Sequence, residues 1–105
     1  MNITVPRLVA VLGLVALLPT IAAPAFAYTG QKFAHEAKIG IEQARRIALQ
    51  ARPGRIIDEE LEREAGGSGL RYSFDIRRGR ITQEVGVDAA TGQVLENKTE
   101  GPNPD

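Results

Sequence analysis

Two hydrophobic periods divide the chain. From Ile41 to Ala51, the apolar residues Ile41, Ala44, Ile47, Ala48 and Ala51 recur at helical spacing and form one stripe. Glu42, Arg45, Arg46 and Gln50 lie largely off it. Glu42 and Arg46 stand four apart in the favoured order, worth roughly 0.3 kcal/mol. Pro53 restricts Arg52 and ends the helix, and Gly54 releases the chain into a turn. The period then becomes two. Leu70, Tyr72, Phe74 and Ile76 alternate with Arg71, Ser73, Asp75 and Arg77. Ile81, Val85 and Val87 alternate with Thr82, Glu84 and Asp88, with Gln83 interrupting the apolar face. Ile57 and Leu61 share a face of an earlier strand, opposite Asp58, Glu60, Glu62 and Glu64. Residues 93–97 form a short fourth strand.

The joints suit hairpins. Gly66 to Gly69, Arg78-Gly79-Arg80 and Asp88 to Gly92 each offer turn chemistry, with Asp88 capping the last turn and Gly92 left-handed. A sheet with one apolar face must be covered, and the helix stripe is the long apolar surface available. The expected fold is therefore α+β, with one amphipathic helix on a four-stranded antiparallel meander. Ala44, Ala48 and Ala51 let the helix lie close. Leu61, Phe74, Ile76, Val85 and Val87 fill the layer between. Residues 28–38 form either a flexible lead or a short extra N-terminal helix. The domain spans 39–98, and 99–105 is a loose tail rich in Gly and Pro.

The start of the chain reads as an export signal. A short segment carrying Arg7 precedes an unbroken apolar run from Leu8 to Leu18, Pro19 breaks it, and Ala25-Phe26-Ala27 is a small-x-small cleavage site. Cleavage is expected after Ala27, giving a periplasmic or secreted domain of residues 28–105 with no stable membrane insertion. The competing reading is an uncleaved anchor over Leu8 to Phe26, against which Pro19 and Pro24 argue.

Thirteen basic and thirteen acidic side chains cancel, so no global field favours nucleic acid. The absence of Cys removes disulfides, thiolate nucleophiles and Cys-ligated metals. The domain must therefore fold without a staple.

Each candidate chemistry has a plainer reading. His35 is the one imidazole, with only Glu36 adjacent, and reads as a surface residue. The acidic run Asp58 to Glu64 alternates along a strand, unlike a calcium loop, and its outward set faces Arg71 and Arg77 as cross-strand ion pairs. Arg71, Arg77, Arg78 and Arg80 form a basic patch for an acidic partner or anionic lipid, with a field weakened by those acids. Ser68 and Ser73 lack a triad His. Gly66 to Gly69 lack the helix and Lys of a phosphate loop. Asn97-Lys98-Thr99 matches a glycosylation sequon. No catalytic, cofactor-binding or metal-binding residue is assigned, and no enzyme activity is expected. Open strand edges and a wet sheet face suit contact with another chain.

Ile41-Glu42-Gln43-Ala44-Arg45-Arg46-Ile47-Ala48-Leu49 followed by Pro53-Gly54 resembles the start of a PepSY domain. The resemblance continues through Glu60-Leu61-Glu62 and Tyr72-Ser73-Phe74-Asp75-Ile76 to Val87-Asp88-Ala89-Ala90-Thr91-Gly92-Gln93-Val94-Leu95. It implies an α+β domain like that of the propeptides of thermolysin-like secreted metallopeptidases, with a role in inhibiting or controlling a peptidase. No protease follows in this chain, so the implied partner is a separate exported peptidase. The alternative is a ligand-sensing or accessory module of an envelope complex. The family brings no catalytic residues to carry over. Tyr72, Asp88, Thr91 and Gly92 match its pattern, and core and turn duties account for them.

Overall fold

A computed structural model describes residues 27–100. The expected export signal falls almost wholly outside these residues, as does the end of the expected tail. The order is a 3-10 helix (Gln31–Glu36), α1 (Ile41–Ala51), β1 (Arg55–Arg63), β2 (Leu70–Arg78), β3 (Ile81–Asp88) and β4 (Val94–Thr99). The strands form one antiparallel sheet in the order β1-β2-β3-β4. This is the α+β meander that the periodicity predicts.

Helix α1 lays its small residues on the sheet. Ala44 and Ala48 are fully buried with Leu61, Tyr72, Phe74, Ile76, Val85 and Val87. Ile41, Ile47 and Ala51 pack at the margins. The lead is ordered: its 3-10 helix sets Phe33 and Ala34 against the same core. Just before it, Thr29 bridges Glu60 in parallel, accepting from the Leu61 N–H at 2.8 Å. The outer edge of β1 is thus partly closed by the chain itself.

Two apolar residues depart from expectation. Ile57 is 44% exposed instead of sharing the face of Leu61, and Ile56 packs on the core. A shift of register between Ile56 and Asp58 is the cause. Two adjacent isoleucines cannot both face inward in a regular strand, and a bulge lets the chain choose. Ile81 is 46% exposed although Val85 and Val87 on its face are buried. An 11-residue helix is about 16 Å long, whereas eight-residue β3 spans about 27 Å, so the hairpin end outreaches its cover. Gln83 stands at this uncovered end, where its side chain bonds Asn97 and Thr99.

Asp88 joins two turns. It is 2% exposed and accepts hydrogen bonds from the Ser68 hydroxyl and N–H, the Ala90 N–H and the Thr91 hydroxyl. Gly92 is left-handed at φ 81°, as its turn requires.

Candidate functional site

The helices cover one face of the sheet, and no described element packs on the other. The register arranges that open face in rows. Arg55, Arg77, Thr82 and Glu100 lie nearest the β2–β3 hairpin, followed by Asp58, Asp75, Glu84 and Lys98. Glu60, Ser73, Gly86 and Glu96 come next, and then Glu62 and Arg71. The middle of the face is low because Ser73 and Gly86 are small. Arg71 lies across it: a Cβ on Gly86 would come within 3.3 Å of the Arg71 Cδ and Nη1. Its guanidinium bonds the Ala65 carbonyl at 3.0 Å and Glu96 at 3.4 Å, with Glu64 at 3.9 Å. Only 8% of the Arg71 side chain is exposed, so it is a strap on the sheet and not part of a free basic patch.

Of the expected cross-strand pairs, Arg71 finds acids and Arg77 does not: Arg55 stands opposite Arg77. The charges segregate instead of cancelling. Acids predominate at the centre of the face beside Lys98, and arginines predominate at the hairpin end beside Glu100.

The central acids crowd one another. Asp75, Glu84 and Glu100 bring one carboxylate oxygen each within 4.8 Å of one another. Burial, then Glu100 and Asp58, push the Asp75 carboxyl up to about 7. Burial and Glu96 raise Glu84, against the opposing hydrogen bond from Ser73. Burial and its acidic neighbours raise Glu62. Oxygen ligands at this spacing suit a hard cation, but carboxylates alone do not define a metal centre. The trio comes from β2, β3 and the residue after β4, which no local motif joins. Its signal in the sequence was only the outward phase of Asp75 and Glu84.

Glu59 is the member of the acidic run that turns to the helix layer. There it makes a two-pronged pair with Arg45 of α1, one prong at 2.9 Å. His35 is exposed, its ring bonded to the Lys32 carbonyl at 3.0 Å and 3.8 Å from Glu36. The Ser68 and Ser73 hydroxyls are engaged by Asp88 and Glu84. Gly66 to Gly69 are a hairpin turn tied to Asp88 through Ser68. The Tyr72 hydroxyl donates to the Ile39 carbonyl, and burial followed by the nearby Tyr28 pushes its ionisation up. Among the described residues, the sequon Asn97 lies exposed on β4.

The sheet edges differ. β1 is closed in part by Thr29, while β4 has no described neighbour beyond it. The Glu100 N–H bonds inward to the Thr82 carbonyl, so by alternation the backbone groups of Asn97 and Thr99 point to the free edge.

The candidate site is thus an antiparallel sheet with one helical face, an open polar face and a free edge. The chain belongs to the PepSY family, described as the peptidase propeptide and YPEB domain, which matches residues 38–98. No curated protein and no solved structure matches the chain. No helix among the described residues is long and apolar enough to cross a membrane.

Proposed function

We propose that this chain is an exported, non-catalytic PepSY module that binds a peptidase of the cell envelope and restrains it in trans. The family description links the domain to peptidase propeptides. The observation that carries the reading is the open sheet face, a polar surface bordered by the free β4 edge. A propeptide-like module works by covering its target. An uncovered sheet face supplies area, and an edge strand supplies backbone hydrogen bonds. No covalent step is required.

The test is a pull-down from native envelope extract with the tagged exported chain, followed by titration against any enriched peptidase. The expected result is inhibition saturating at fixed stoichiometry, weakened by Glu84→Arg on the open face and unaffected by Gln43→Ala on the helix. Recovery of non-peptidase envelope proteins, with peptidase activity untouched, would establish the accessory-module reading in its place.

A further inference from the structure

The hairpin end of the sheet carries a second surface, independent of the peptidase reading. The register sets Arg55 directly across from Arg77, and Arg78 across from Ile81, with Gly79 and Arg80 in the turn between. Arg52 caps α1 three residues before Arg55. Gly54 holds this corner in place: a Cβ there would lie 2.7 Å from the Arg77 carbonyl oxygen. Five arginines from three segments thus converge on one end, against one acid of that row, Glu100. None of them forms an ion pair among the described residues, although the arginines at 45, 63 and 71 all do.

Among the described residues, two of the three exposed large hydrophobic residues lie at the same end, Ile57 at 44% and Ile81 at 46%. Both are there for structural reasons, the bulge and the short helix. We infer that this end is a peripheral docking surface for an anionic phospholipid bilayer, with guanidinium groups on headgroup phosphates and Ile57 and Ile81 entering the interface.

The chemistry favours a bilayer over an acidic protein. Guanidinium groups grip phosphate oxygens in pairs. A neutral chain has no long-range pull, so adsorption needs apolar side chains among the cations, and here the two are interleaved. The surface is a protruding sheet end and not a groove. The cleft of about 480 Å³ on the β1 edge, which Ile57 borders, holds Asp58 and Glu59 against Arg45, a net acidic lining of the wrong sign for an acidic peptide. Docked by this end, the sheet stands up from the membrane, and its acidic face and β4 edge remain free.

The experiment is co-sedimentation of the full chain, as recovered from the envelope, with vesicles of phosphatidylcholine alone or mixed with phosphatidylglycerol. Binding by the N-terminal apolar run is common to every variant, so the readout is the additional binding that phosphatidylglycerol brings. Binding should depend on phosphatidylglycerol and fall with salt. Each arginine removed should cost about fivefold, so R77Q/R78Q/R80Q should lose about a hundredfold. I57S/I81S should weaken binding, whereas R46Q on the helix should leave it unchanged. Equal binding to both lipids, an unaffected triple variant, or an equal loss with R46Q would overturn the proposal. Capture of polyglutamate without vesicle binding would overturn it in favour of an acidic protein partner.

Discussion

The Tyr72 hydroxyl donates a 2.8 Å hydrogen bond to the carbonyl oxygen of Ile39, tying the centre of β2 to the chain just before α1. The ring is 1% exposed and lies near both Tyr28 and Phe74. Tyr72→Phe keeps the packing and leaves that carbonyl without its donor. It is expected to cost about 1 kcal/mol in urea denaturation. An unchanged midpoint would show that the bond contributes nothing.

Asp88 holds two turns through one carboxylate. Burial works against its charge, but hydrogen bonds from Ser68, Thr91 and Ala90 outweigh it and hold the carboxyl below its ordinary value. A depressed folded pKa stabilises the fold above the unfolded pKa, and that stability is lost as pH falls through the folded value. Asp88→Ala should cost roughly 2–3 kcal/mol at neutral pH. Its penalty should shrink below about pH 4. A penalty independent of pH would remove the charge from the account.

Asp75 has the opposite sign. Its folded carboxyl sits at about 7, raised by burial, Glu100 and Asp58. The folded state therefore binds the extra proton, and stability declines as pH rises from about 4 towards 7. Asp75→Asn should flatten that decline and stabilise the domain at neutral pH by up to about 1 kcal/mol. Carbon-detected NMR titration of the Asp75 carboxyl reads the value directly, and titration near pH 4 would refute it.

The bulge in β1 separates two adjacent isoleucines. Ile57→Thr should lie within about 0.5 kcal/mol of the parent. Ile56→Ala should cost roughly 1–2 kcal/mol because a half-buried side chain leaves the core margin. The reverse ranking in thermal unfolding would restore the unbulged register.

Gly30 lets the lead meet β1. It has φ 83°, and a Cβ there would stand 1.8 Å from the Leu61 carbonyl oxygen. Gly30→Ala should detach the lead from the sheet while the sheet itself persists. Hydrogen exchange should then lose protection at Leu61 N–H, which donates to Thr29, but keep it along β2 and β3. Retained protection at Leu61 would contradict the docked lead.

The elements were legible because their signals are local. Helical spacing from Ile41 to Ala51 and alternation from Leu70 to Ile76 each report one buried face. Glycines and Asp88 marked the turns, and small alanines marked where helix and sheet approach. The family resemblance was legible in the ordered run of motifs and agrees with the match over residues 38–98.

Relations across strands were not legible. Periodicity assigns a residue to a face but does not say what stands beside it. One bulged residue placed Arg55, in place of Ile56, opposite Arg77 and exposed Ile57. The sequence suggested one patch from Arg71 to Arg80. Folding buried Arg71 over Gly86 and gathered Arg52 and Arg55 to the remaining three. Asp75 and Glu84 met because adjacent strands carry them at one level, and Glu100 reaches them from the next row. Sequence by itself determined the class of fold, the apolar layer and the turns, since these follow from side-chain period and backbone preference. Tertiary structure decided the register, the closing of the β1 edge and the segregation of charge. Those depend on which distant residues are neighbours, and chain pairing alone sets that.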